Sequence, residues 1–155
     1  MNHLKSALLA GFAATCAIGL LSYADAWSSA GLWLMAPFGA TAVLVFGVPD
    51  SPLAQPKNVI FGHLITASVG LAFVHWLPVE PWSLAIATGL AISLMLVTKT
   101  THPPAGANPL LIMLTGQSWS FLVTPVLIGA LVIVLCGQLN QLWSRKWLSA
   151  RQSRA

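Results

Sequence analysis

Charge is what this chain has least of. Only 6% of its 155 residues are Asp, Glu, Lys or Arg, against about 25% in an ordinary soluble domain. So few charges cannot cover a globule of this size, which excludes a water-soluble fold. The acids number three and lie between apolar runs. There is no HExxH, and no Ser–His or Cys–His pair at a recognisable spacing, so no enzyme is expected. The two cysteines, Cys16 and Cys136, sit inside apolar runs without metal-ligand spacing. They read as small buried hydrophobes, and neither a metal nor a cofactor is expected. The net charge of +4 does not form a nucleic-acid patch. Lys5, Lys57 and Lys99 stand alone, and Arg145, Lys146, Arg151 and Arg154 gather in the tail.

What the chain has in plenty is apolar surface. Hydrophobic residues make up 57% of it, so the lipid bilayer is its expected solvent. The length suits one domain, 1–155. Apolar segments fall at roughly 5–23, 31–48, 59–77, 82–98, 104–116 and 119–143. A full helical span takes about 20 residues. Segments one, three and four approach that and the sixth exceeds it; segments two and five are short and carry Pro and Gly. Lys5, the apolar run 7–21 and "ADA" at 24–26 have the look of a cleavable signal peptide. We read this stretch as a retained first span.

Segments two and five align with each other. A shift of 67 positions puts Pro37 on Pro104, Gly39 on Gly106, Ala40 on Ala107 and Leu44 on Leu111. The same shift puts Gly62 on Gly129, Leu64 on Leu131 and Gly70 on Gly137. The chain then divides into repeat halves of about 1–77 and 78–143, with a basic tail at 144–155. Positive charge orients such segments. If both short segments cross, with the N-terminus inside, every Lys and Arg is cytoplasmic, while Asp25 and Glu80 are outside. If both dip in and return, Lys57 and Lys99 become external. Six crossings fit better. Three crossings per half make the halves inverted, a recurring transporter design.

Non-helical backbone at membrane depth survives only inside protein or beside water. Proline suits a helix's first turn, where its missing N–H costs nothing. "THPP" therefore reads as an extended approach, with Pro104 opening a half-helix to about Thr115. "MAP" reads likewise, with Pro37 opening one to about Gly47. The expected fold is an all-α membrane protein with four full spans and two broken half-helices, arranged as two inverted three-segment repeats.

"THPPAGA" (101–107), together with "APFGATAVLVFGVPDSPLAQPKNVIFGH" (36–63), resembles the HPP family of integral membrane proteins. The family is named for the His-Pro-Pro triplet, here His102, Pro103 and Pro104. The triplet alone is a weak signal; with "PFGA", "SPLAQPKN" and the following Gly-His in order it is a specific one. The resemblance covers nearly everything between the N-terminal residues and the basic tail. It implies four membrane spans as usually described. It also implies transport of nitrite, as described for plastid and cyanobacterial members, although many bacterial members have no assigned substrate.

Half-helix N-termini carry unpaired N–H groups and positive dipole ends, and so attract anions. Two of them meeting near the midplane would suit nitrite, formate or another small monovalent anion. Gly39, Ala40, Gly106 and Ala107, next to Pro37 and Pro104, would supply backbone donors. Thr41 and Asn108 hold equivalent repeat positions and would add polar side chains. Asn108 reads equally as a helix cap or an interhelical bond. His102, with Thr101 beside it, is the sharpest candidate. Neutral imidazole would donate to an anion and imidazolium would supply a proton, a change that falls near neutral pH. The alternative is a structural histidine tied to a neighbouring carbonyl.

At the rim, His63, Lys57 and Lys99 are gate or vestibule candidates. His63 also reads as a satisfied interfacial histidine, and both lysines as snorkelling topology markers. Phe38 and Trp33 could constrict or line a path. The other tryptophans suit an interfacial belt. The rival to transport is a membrane sensor or assembly module. Small-residue faces favour self-association, so a homo-oligomer is expected, most simply a dimer. The expected location is a bacterial inner membrane, multi-pass, with both termini cytoplasmic.

Overall fold

The computed structural model describes residues 3–27 and 33–152, with side chains to 144. The basic tail therefore lies largely outside the described side chains. Among the described residues, six α-helices run in chain order: α1 (His3–Trp27), α2 (Ala36–Ala42), α3 (Pro56–Trp76), α4 (Pro81–Val97), α5 (Asn108–Thr115) and α6 (Ile128–Gln152). A wide π-turn, Val43–Gly47, extends α2, and a tight 3₁₀ turn, Pro103–Ala107, leads into α5. No strand occurs among the described residues. The protein is all-helical, with several apolar helices of the kind a membrane takes.

Proline sets where these helices start. It stands in the first turn of α2, α3, α4, α5 and of the 103–107 turn, where no N–H is needed. Helix ends have their own devices. Gly116 closes α5 in the left-handed region at φ 63°, which glycine enters without a Cβ clash. After α4, Lys99 does the same at φ 55°, a conformation that costs a side-chain-bearing residue about 1 kcal/mol.

Among the described residues, three helical stretches are long and apolar enough to cross a membrane: His3–Trp27, Pro56–Trp76 and Trp119–Ser144. Helix α4, at 17 residues, lies at the short end of the spanning range. The helical stretch Ala36–Gly47 rises only about 18 Å, too little for a bilayer about 30 Å thick. The sixth segment differs from the continuous span expected. It opens with a 3₁₀ turn, and Thr124 leaves helical geometry at φ −127°, ψ 115°. Pro125 follows directly, and the helix resumes after it.

Helix α3 is the hub. It packs against α4, α5, α6 and the 103–107 turn, while α1 lies along α6 and the 36–47 helix. Helix α2 meets the 103–107 turn directly, so the two broken segments touch. Glycines set the closest approaches. A Cβ on Gly70 would meet Pro109 and Ile112 of α5, and one on Gly137 would meet Val45. A Cβ on Gly62 would meet His102, and one on Gly129 would meet Phe38. Helix α1 buries only Ala17 and Leu21 and turns Leu4, Leu8, Phe12 and Leu20 outward.

Candidate functional site

The residue before a proline is pushed into extended backbone. His102 obeys, at φ −137°, ψ 98°; Met35, the N-cap of α2 two positions ahead of Pro37, is extended as well, at φ −131°, ψ 147°. The chain thus arrives extended at each break and turns sharply into a helix. The second turn starts at Pro103, one residue earlier than the sequence suggested. At the junction of the two breaks lies a buried polar cluster. Thr41, His63, Thr66, His102 and Asn108 are all fully buried.

Thr41 is the centre of the cluster. Its Oγ1 lies 2.9 Å from His63 Nε2 and 2.9 Å from His102 Nε2. It also lies 3.0 Å from the Pro37 carbonyl oxygen one turn back. His102 Nδ1 sits 2.7 Å from the Leu53 carbonyl oxygen. Asn108 Nδ2 reaches His63 Nδ1 at 3.0 Å, the His63 carbonyl at 3.2 Å and Thr66 Oγ1 at 2.9 Å. The Thr66 hydroxyl donates to the Gly62 carbonyl at 2.9 Å. Asn108 Oδ1 is buried and has no partner. Phe38 closes one side, edge-on to the His63 ring with centroids 5.3 Å apart. The two imidazoles are themselves edge-on at 5.1 Å.

The loop between α2 and α3 presents the Leu53 carbonyl. Ser51 Oγ accepts the Leu53 N–H at 3.3 Å, and Gln55 Nε2 donates to the Pro49 and Ser51 carbonyls. From the start of α3, Asn58 Nδ2 donates to the Thr101 carbonyl at 2.9 Å. Gly62 makes the approach possible, since a Cβ there would lie 2.9 Å from His102 Cβ and 2.9 Å from the Thr100 carbonyl oxygen.

Of the sequence candidates, Thr41, His102, Asn108 and His63 come together, with Pro37, Phe38 and Pro104 buried beside them. Gly39, Ala40 and Ala107 are exposed and Gly106 is half-buried. Thr101 takes part through its carbonyl only. Lys57 and Lys99 are exposed and stay apart. The half-buried Trp33 donates its backbone N–H to Asp25 Oδ1 at 2.7 Å.

His63 moves furthest from its expected place. The sequence set it near an interface. In the fold it is 0% exposed, because α3 already begins at Pro56 and His63 lies two turns inside it. Sequence reasoning missed Thr66, although its spacing of three from His63 puts both on one helix face. It also missed the Leu53 carbonyl, which no side-chain pattern reveals. The structural alternatives entertained for His102 and Asn108 are both observed as bonds, to a carbonyl and across helices.

An apolar helical bundle with a buried polar cluster where two broken segments meet is the build of a helical membrane protein with a polar centre. The chain belongs to the HPP family, matching the family described as "HPP, transmembrane region" over residues 1–148. It is similar to a transmembrane protein of Dictyostelium discoideum, 38% identical over 146 residues, covering 89% of this chain and 51% of that one. A second transmembrane protein of the same organism is 36% identical over 146 residues, covering 89% and 47%. The chain spans about half the length of these curated relatives. No solved structure matches it.

Proposed function

We propose that the chain carries a small solute across a membrane, most simply a monovalent anion such as nitrite, past the junction of the two broken segments. One observation carries this reading: five fully buried polar side chains converge at that junction in a chain with hardly any charge. Polar and ionisable groups inside a membrane are costly and mark solute or proton paths.

The inverted-repeat reading draws support from paired packing. Gly70 lies against Ile112, and its repeat equivalent Gly137 against Val45; Val45 and Ile112 are themselves 67 positions apart. Thr41 and Asn108, also equivalent, both enter the cluster. On this reading the 36–47 and 103–115 helices are half-helices, six segments cross, and both termini face the cytoplasm of a bacterial inner membrane. The open small-residue groove between α1 and the 36–47 helix, lined by Gly11, Gly19, Gly39 and Gly47, is consistent with a homodimer.

A sensor or assembly module is the second reading, and the closed centre favours it. The test is nitrite uptake into liposomes holding the purified chain, wild type against His102→Ala. Uptake above empty liposomes, cut at least tenfold in the variant, is expected. Well-folded protein that moves neither nitrite, formate nor nitrate would reject transport.

A further inference from the structure

The hydrogens of the cluster can be assigned from its two ends. The Leu53 carbonyl only accepts, so His102 Nδ1, 2.7 Å away, carries a proton. The His63 carbonyl likewise only accepts, so the Asn108 atom beside it is the donating amide nitrogen. Thr66 agrees, because its own hydrogen goes to Gly62 and it must accept from Asn108. That amide nitrogen also faces His63 Nδ1, so His63 Nδ1 is bare and neutral His63 holds its proton on Nε2. His63 Nε2–H then donates to Thr41, and the Thr41 hydroxyl donates to the bare Nε2 of His102. The result is a one-way chain, from Asn108 through His63, Thr41 and His102 to the Leu53 carbonyl. The two histidines hold opposite tautomers.

One acceptor is left over. The single Thr41 hydrogen has two acceptors in reach, the Pro37 carbonyl at 3.0 Å and the bare His102 Nε2 at 2.9 Å; we place it on the imidazole nitrogen, which would otherwise be a buried acceptor without a donor. Now bring one proton to His102 Nε2. The Thr41 hydroxyl turns to Pro37, and its freed lone pair accepts the new Nε2–H. Every N–H and O–H of the ring pair and the hydroxyl still has an acceptor. The charged ring then makes charge-assisted bonds on both sides. His63 has no such provision: a proton on its Nδ1 would face the Asn108 amide hydrogens.

Few other titratable or charged groups come near. On the elements packed against the pair, Lys57 and His75 of α3, Glu80 and Lys99 flanking α4, and Asp50 ahead of Leu53 are exposed. Cys136 of α6 packs against the apolar core. Among the described residues, His63 is the titratable group in contact with Thr41 and His102.

We propose that Thr41 and His102 form a one-proton store in the middle of the protein, loaded by rotation of the Thr41 hydroxyl from His102 to the Pro37 carbonyl. Resting on the transport reading above, the solute crosses as an anion with one proton, the equivalent of a small weak acid. In the unloaded state every donor of the cluster is taken, and the free atom, Asn108 Oδ1, is an acceptor. It suits an O–H and repels a bare anion. Loading the store supplies the missing positive charge.

The store is tested without transport. Ring-nitrogen NMR of the full chain, labelled with ¹⁵N-histidine in lipid nanodiscs, is followed against pH. We expect His63 bare at Nδ1 and His102 bare at Nε2, then one proton taken up at His102 while His63 stays neutral. Thr41→Ser keeps this pattern and Thr41→Val loses it. Identical tautomers, His63 protonating first, or neither ring protonating down to about pH 4 would overturn the store. Coupling is read in liposomes with a pH-sensitive dye inside. Nitrite uptake at one proton per anion, driven by a pH gradient and indifferent to a potassium-set membrane potential, is expected. Uptake driven by the potential alone overturns the coupling. If no anion moves, the transport reading fails, and the NMR experiment still decides the store.

Discussion

Replacing Thr41 by valine keeps the shape of the side chain and removes one hydroxyl. That hydroxyl has two imidazole partners at 2.9 Å each and a carbonyl at 3.0 Å, in a position with no exposure at all. Valine strands the His63 Nε2–H without an acceptor and leaves His102 Nε2 without a donor. A stranded buried donor costs about 1–3 kcal/mol. Interhelical hydrogen bonds in membranes are worth less, about 0.6 kcal/mol on average and at most about 1.7, because the unfolded chain in lipid finds partners too. Two bonds lost together should cost about 1.5–3 kcal/mol, roughly one to two decades in the unfolding equilibrium. Thr41→Ser keeps the hydroxyl and loses one methyl, about 0.8 kcal/mol. Reversible unfolding in mixed micelles titrated with dodecyl sulfate measures all three proteins. The cluster is not the polar keystone argued here if Thr41→Val falls within about 0.5 kcal/mol of wild type. The same holds if Thr41→Ser is as damaging as valine.

Gly62→Ala places a methyl 2.9 Å from His102 Cβ and from the Thr100 carbonyl. Neither neighbour is the free end of a side chain, so an overpacking cost of about 1–3 kcal/mol is expected, with altered histidine ring signals as the specific readout. Ser83→Ala removes the hydroxyl that accepts the Glu80 N–H at 3.0 Å and donates to Pro78 at 2.7 Å at the start of α4; the expected loss is about 1 kcal/mol, read by the same unfolding titration. Lys99→Gly relieves the positive φ of 55° and should leave stability equal or up to about 1 kcal/mol higher, whereas Lys99→Ala should bring no such gain. Lys57→Gln, at an exposed position, should stay within about 0.5 kcal/mol of wild type; a larger loss would show a buried partner for the ammonium.

Composition and proline spacing were enough to establish the solvent and the punctuation of this protein. A chain that is 57% hydrophobic and 6% charged has to be covered by lipid. Prolines without an N–H have to stand in first turns or in extended approaches, which is why the 36–47 and 103–115 helices were legible at nearly their observed bounds. The triplet at 102–104 marked the family. The self-alignment picked out Thr41 and Asn108, because both breaks repeat one local pattern. The partners of those residues were another matter. His63, Thr66 and the Leu53 carbonyl lie 22, 25 and 12 positions from Thr41. Nothing local says that α3 turns its His63 face toward both breaks, or that Gly62 lets His102 approach closely enough to share one hydroxyl with it. Hydrogen-bond direction is also a property of the assembled cluster. Each imidazole alone has two tautomers; only the two carbonyls fixed at the ends of the chain, Leu53 and His63, leave one.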